Sequence, residues 1–110
     1  MIDWSKVTEL RQEIGDADFA EVVDLFLEEV DEAMQQLRDA LPQDKLECCL
    51  HFLKGSALNL GFDAFSTLCA AGEVASARGN YDKIDITEIC SVYDKSKATF
   101  LSELADRLAA

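Results

Sequence analysis

Apolar residues recur along the chain in alternating steps of three and four, the spacing that places them on one face of an α-helix. The longest such segment covers residues 17–41. Its apolar stripe consists of Val23, Phe26, Val30, Met34, Leu37 and Leu41. Proline disrupts a helix interior, so Pro42 marks the end of this segment. The pattern predicts a long amphipathic helix with one face in the core.

The same periodicity predicts four more helices. A short leading helix over residues 4–14 carries Trp4, Val7, Leu10 and Ile14 and stops at Gly15. The others cover residues 43–60, 62–78 and 85–109, and residues 44–47 and 85–88 resemble capping boxes. The last helix carries Ile86, Ile89, Tyr93, Phe100, Leu104 and Leu108. The predicted fold is all-α: an antiparallel up-and-down four-helix bundle with a short additional N-terminal helix.

The composition is that of one small globular domain, residues 1–110. Apolar residues make up 49% and charged residues 29% of the 110, and a single proline with five glycines favours helices over a sheet with many turns. The net charge of −12 argues against nucleic acid or an anionic membrane as a partner. With no signal peptide or membrane-length apolar run, we expect a cytoplasmic protein. Its four cysteines lack disulfide spacing and are interpreted as reduced thiols.

One face of the third helix does not fit a purely structural interpretation. Its core stripe contains Leu46, Cys49, Leu50, Leu53, Ala57 and Leu60. His51, the only histidine, lies roughly 150° from the centre of that stripe. Around it are Cys48, Gly55 and Leu58, with Lys54 one turn away at the edge. Exposed apolar and small residues beside a reactive group are typical of a protein-docking surface.

The chemistry of this face favours phosphoryl transfer. A neutral imidazole is a competent nucleophile near neutral pH, and the ammonium group of Lys54 can meet phosphoryl oxygens. Gly55 costs about 1 kcal/mol relative to alanine in a helix interior, which indicates that a side chain there would obstruct an approaching partner. Between Cys48 and Gly72 the only acidic residue is Asp63, although 22 of 110 residues are acidic, so repulsion of a phosphoryl group is weaker here.

Residues 51–61, which read HFLKGSALNLG, resemble the signature of histidine-containing phosphotransfer (HPt) domains, H-x-L-K-G-S-[SA] followed by a leucine-glycine pair. The similarity extends through Cys69, Glu73 and Arg78, and the length and helix pattern match the family's antiparallel bundle. The sequence departs from the family pattern at Gly72, where many members have leucine before the acidic residue.

The resemblance implies that His51 carries phosphate between aspartates of response-regulator receiver domains in a multistep phosphorelay fed by a hybrid sensor histidine kinase. It implies that Lys54 steadies the phosphoryl group, that Glu73 hydrogen-bonds the histidine ring, and that Arg78 lies near a basic position used for phosphate or partner contact. We expect Gly55, Cys48, Leu58 and Ser56 to provide partner access and docking.

The resemblance also covers the phosphorylated domain of chemotaxis kinases, whose dimerisation and ATP-binding domains have no counterpart in these 110 residues. We therefore expect a free-standing, monomeric phosphocarrier and not an enzyme. The receiver domain would supply Mg²⁺ and the catalytic aspartates, and the chain would need no cofactor or metal of its own.

Two other functions remain open at this point. One is a phosphorylation-independent adaptor or inhibitor whose His51 face binds a receiver domain or sensor kinase. The other is a phosphoesterase that uses His51 as a transient nucleophile, for which the sequence offers no second acid–base histidine and no evident arginine clamp. A metal site at Cys48, His51 and Cys69 is disfavoured, because Cys69 is predicted to face the core.

Overall fold

A computed structural model describes residues 1–109, without the side chains of Leu108 and Ala109. The predicted core position Leu108 and the last residue, Ala110, therefore lie outside the description. The helices are α1 (Trp4–Ile14), α2 (Asp16–Arg38), α3 (Gln43–Leu60), α4 (Asp63–Ala77) and α5 (Ile86–Ala109), with a 3-10 turn at Tyr81–Lys83. Apart from one isolated bridge between Ile2 and Phe62, all regular structure over residues 1–109 is helical. The all-α prediction is confirmed.

Three helices differ from their predicted bounds. The second ends at Arg38, not at residue 41, because Ala40 adopts a left-handed backbone (φ 66°) that a right-handed helix cannot contain. The fourth covers 63–77 and not 62–78, since Phe62 pairs with Ile2 and Arg78 is the cap. The fifth begins one residue late, because the side chain of Asp85 accepts a hydrogen bond from the Glu88 N–H as an N-cap.

Side chains from all five helices form one buried hydrophobic cluster. Its centre is aromatic: Phe62 packs edge-on against Phe100 with centroids 5.3 Å apart, and Phe65 lies 5.0 Å from Tyr93. Trp4 stacks on Phe100 at 5.7 Å and so ties α1 to α5. Aromatic pairs in these offset and edge geometries contribute beyond the area they bury.

Helices α2 to α5 form a closed ring of neighbours. Helix α2 packs on α3, α3 on α4, α4 on α5 and α5 on α2, while α1 contacts α2 and α3. The α3–α4 contact is the most extensive of these. Between α2 and α5, the Tyr93 hydroxyl donates to Asp31, whose other oxygen accepts from Lys97 at 2.6 Å, and Arg38 pairs with Asp94 at 2.7 Å.

The turn between α3 and α4 is held by the first residues of the chain. Gly61 ends α3 in a left-handed conformation (φ 74°), and its carbonyl accepts a 2.6 Å hydrogen bond from the Asp3 N–H. The Asp63 N–H donates to the Met1 carbonyl at 3.1 Å. A Cβ at Gly61 would collide with the Asp3 backbone. Glycine is therefore required here both by its backbone conformation and by the space available.

In the part of the chain that the structure describes, no helix is both long enough and apolar enough to cross a membrane.

Gly61→Ala is expected to lower the free energy of unfolding by about 3 kcal/mol, because it adds left-handed strain and displaces the Asp3 hydrogen bond. Gly79→Ala is the matched control. Gly79 has the same φ of 74° but nothing within 4 Å of its would-be Cβ, so about 1 kcal/mol is expected from strain alone. Urea denaturation followed by circular dichroism measures both. Equal losses would show that the clamp by Asp3 contributes nothing.

Candidate functional site

His51 projects from the middle of α3 into solvent. Its side chain is 69% exposed, whereas the neighbouring Leu50 and Leu53 are fully buried. These two leucines anchor α3 in the core and so fix the direction in which the imidazole leaves the helix. The ring is therefore accessible to a partner without any unfolding of the helix.

The carboxylate of Glu73, on α4, contacts both His51 and Lys54 of α3. Glu73 Oε2 lies 2.7 Å from His51 Nδ1, and Glu73 Oε1 accepts a 2.6 Å hydrogen bond from Lys54 Nζ. The Glu73 side chain is only 19% exposed. His51, Lys54 and Glu73, which we call the His51 cluster, are thus brought together by the packing of α3 on α4.

Lys54 and His51 both stabilise the charged form of Glu73. The hydrogen bond from Lys54, and after it the contact with His51, holds the pKa of Glu73 below its usual range, although partial burial acts in the opposite direction. Glu73 is therefore ionised at neutral pH and can only accept hydrogen bonds. It follows that His51 Nδ1 carries the proton in the neutral ring, and that Nε2 carries the free lone pair.

This arrangement equips Nε2 as a nucleophile. Nδ1 and Nε2 are separated by one ring carbon and point in different directions, so a hydrogen bond from Nδ1 to Glu73 leaves Nε2 available in a side chain that is 69% exposed. When Nε2 forms a new bond the ring acquires positive charge, and the carboxylate 2.7 Å from Nδ1 stabilises that charge. The cluster therefore favours attack by His51 on an electrophile delivered from solvent.

The surface beside His51 is apolar and low in relief. Leu58 and Cys48 are exposed, and nothing lies within 4 Å of a Cβ built at Gly55. Phe52 is also exposed and lines a shallow apolar groove with Cys48 and Leu41. The sequence analysis missed Phe52, although its place outside the core stripe could have identified it. Together Cys48, Phe52, Gly55 and Leu58 are called the docking face below.

Two residues expected at the site lie elsewhere. Ser56 is buried, because it lies only roughly 60° from Leu53 around the helix, on the side that packs inward. It therefore does not belong to the docking face. Arg78 is the C-cap of α4, roughly 140° around the axis from Glu73. It lines a separate groove with Lys83 and Ile84, and over residues 1–109 no ion pair joins it to the His51 cluster.

The cysteines do not assemble a metal site around His51. Cys48 is exposed while Cys69 is fully buried, and burial raises the pKa of the Cys69 thiol to about 12. A thiol must lose its proton to bind most metals. Within the described residues, no group of three or more histidine, cysteine, aspartate or glutamate side chains could hold a metal ion.

Replacing Lys54 with methionine is expected to raise the pKa of Glu73 toward the ordinary glutamate range, and to raise it more than His51→Ala does, because the Lys54 hydrogen bond is the larger cause of the shift. Carboxyl carbon chemical shifts followed by NMR across a pH titration measure this. Lys45→Met removes the same charge from an exposed position of α3 and serves as control. If the control shifted Glu73 as much as Lys54→Met does, net charge and not the contact would be the cause.

Comparison with known proteins identifies a family. Searches among curated proteins and among solved structures gave no match. A family model described as the Hpt domain matches residues 21–110, which include the whole of α3, α4 and α5. The chain therefore belongs to the Hpt domain family, whose members carry phosphoryl groups on histidine in two-component phosphorelays.

Proposed function

We propose that this protein is a phosphocarrier in which His51 accepts a phosphoryl group from an aspartyl phosphate of one receiver domain and passes it to an aspartate of another. The observation that carries the proposal is the 2.7 Å contact between His51 Nδ1 and the ionised Glu73, which leaves Nε2 of an exposed ring free to react. Membership of the Hpt family supports the reaction class.

The transfer step conserves the proton on His51. The Nε2 lone pair forms a bond to phosphorus while the bond between phosphorus and the aspartate oxygen breaks, and the aspartate leaves as a carboxylate. The product carries the phosphoryl group on Nε2 and the original proton on Nδ1, so the ring is cationic. Glu73 accepts from Nδ1 throughout. The return transfer to a second aspartate follows the same path in reverse.

In this proposal, the ammonium group of Lys54 binds the phosphoryl oxygens. In the unphosphorylated protein its ammonium lies 2.6 Å from Glu73 Oε1 and so neutralises part of the charge that would repel an incoming phosphate. Since Lys54 follows His51 by three residues, both side chains leave nearly the same face of α3. The ammonium can therefore reach the phosphoryl group with a change of side-chain rotamer.

The remaining parts of the reaction are assigned to the partner. We infer that the receiver domain supplies Mg²⁺ and its own aspartates, because the single carboxylate of the His51 cluster is already committed to Lys54 and His51. A hybrid sensor histidine kinase would feed the relay. In the same proposal the chain acts as a monomer in the cytoplasm, and four unpaired cysteines suit such a reducing compartment.

The helix contacts support an antiparallel four-helix bundle as the scaffold. From α2 to α5, Asp31 contacts Tyr93 and Lys97, whereas Arg38, further along α2, interacts with Cys90 and Asp94, a pair that starts earlier on α5. Four residues, 39–42, connect α2 to α3, and α3 and α4 are joined by Gly61 and Phe62 alone. Such a short connection between packed helices favours opposite directions.

His51→Gln is expected to abolish phosphate uptake while leaving the helical fold intact, because the ring is mostly outside the core. The wild type and variant would be incubated with a panel of radiolabelled phospho-receiver domains and Mg²⁺, and separately with phosphoramidate. Label that is acid-labile and alkali-stable, on the wild type alone, is the expected result. Receivers that bind the wild type without any transfer, and no reaction with phosphoramidate, would instead support the adaptor function.

Leu58→Asp is expected to weaken receiver binding about tenfold or more, because it places a charge in an apolar contact. Leu101→Asp is the matched control. Leu101 is 50% exposed against 49% for Leu58, and it lies on α5, which packs on α2 and α4. Calorimetric titration with an unphosphorylated receiver compares the two. If both substitutions weakened receiver binding equally, the docking surface would lie elsewhere, or the added negative charge alone would explain the effect.

A further inference from the structure

A tight contact between α3 and α4 lies one residue before His51 on α3 and one residue before Glu73 on α4. Leu50, which precedes His51, packs against Gly72, which precedes Glu73. A Cβ built on Gly72 would lie 2.9 Å from Leu50 Cδ1 and 3.7 Å from Leu50 Cδ2, with Ile84 Cγ2 also at 3.7 Å on the neighbouring element. Gly72 is buried and Leu50 is fully buried. No room for a methyl group exists at this contact.

Backbone conformation does not explain the glycine. Gly72 lies in the interior of α4 and is absent from the glycines with positive φ, which are Gly15, Gly61 and Gly79. An interior glycine weakens a helix by about 1 kcal/mol relative to alanine. What Gly72 provides in exchange is the missing side chain, and hence a short distance between the two helices.

We propose that Gly72 is a positioning residue for phosphotransfer: its lack of a side chain lets α4 approach Leu50 closely enough for Glu73 to hold His51 in the tautomer with Nε2 free. This inference rests on the proposed role of His51. It adds that the alignment of the nucleophile depends on a buried steric contact as well as on the polar residues that touch it.

The contact leaves little tolerance. Relieving a 2.9 Å carbon–carbon distance to ordinary van der Waals separation needs a displacement of about 0.6 Å or more. A hydrogen bond of 2.7 Å lengthened by that amount reaches the outer limit of good geometry. Leu50 cannot turn into solvent to relieve this contact, because it is fully buried.

Glu73 cannot easily follow a displaced His51. Its two oxygens are committed to different partners, Oε2 to His51 and Oε1 to Lys54. A rotation that restores one contact therefore weakens the other. A small movement at Gly72 thus becomes a loss of orientation at the imidazole, in the way that misplacement of a reacting group lowers a rate without removing any reacting atom.

The test compares Gly72→Ala with a compensating pair. Gly72→Ala adds one carbon at the contact. Leu50→Val shortens the facing side chain by one carbon in total and leaves no atom at either Cδ position, so the double variant conserves core volume. Three measurements are made on each: the His51 ring tautomer by ¹⁵N NMR, the rate of phosphorylation at His51, and the urea midpoint. Val30→Ala, a core substitution on α2, controls for loss of stability alone.

We expect Gly72→Ala to shift the neutral ring toward the Nε2–H tautomer and to slow phosphorylation about tenfold, with the double variant recovering both. Val30→Ala should change only the urea midpoint. If Gly72→Ala fails to fold, the double variant must still match the wild type in tautomer and rate. A wild-type tautomer and rate in folded Gly72→Ala, or no recovery in the folded double variant, would overturn the inference.

These outcomes are separable from those of the proposed function. A wild-type ring with Nδ1 protonated that takes phosphate from no donor would overturn phosphotransfer, whatever Gly72→Ala does to the tautomer. A wild type that is phosphorylated normally, together with an unaffected Gly72→Ala variant, would overturn only the role of Gly72.

Discussion

The carboxylate of Glu73 is the interaction on which the candidate site depends, because it contacts both His51 and Lys54 of α3. Without the Glu73 contact, the side chains of His51 and Lys54 could adopt several rotamers. The imidazole of His51 could also adopt either tautomer. With the Glu73 contact, the ring has a defined proton position and the ammonium has a defined resting place. Packing of the hydrophobic core holds α4 at the distance from α3 at which Glu73 contacts both His51 and Lys54.

The charge distribution complements this local arrangement. In a protein with a net charge of −12, the segment 48–72 contains a single acid, Asp63, and is bordered by Glu47 and Glu73. In the proposed function, a receiver domain brings carboxylates and a phosphoryl group to the docking face, and both are repelled less by this segment than by the acidic exterior of α2. The long-range field can therefore favour approach in the productive orientation, before any apolar contact forms.

The elements that depend on local sequence were predictable from spacing, whereas the tertiary contact of Glu73 with His51 was predicted only through the family resemblance. The spacing of apolar residues and the capping residues identified the helices. Pro42 suggested too late an end for α2, because the sequence gives no signal for the left-handed backbone of Ala40. His51 and Lys54 could be placed on one face by spacing alone. Whether Glu73 reaches them depends on how closely two helices approach. Ser56 was misassigned because a polar side chain at the edge of the apolar stripe turned inward.

The stacking of Trp4 on Phe100, with the Arg107 guanidinium 5.1 Å from the indole centroid, makes the only tryptophan of the chain a natural optical probe. Its ring joins α1 to the far end of α5, two segments widely separated in sequence. Intrinsic tryptophan fluorescence therefore reports on the docking of the leading helix separately from the helical content of the bundle.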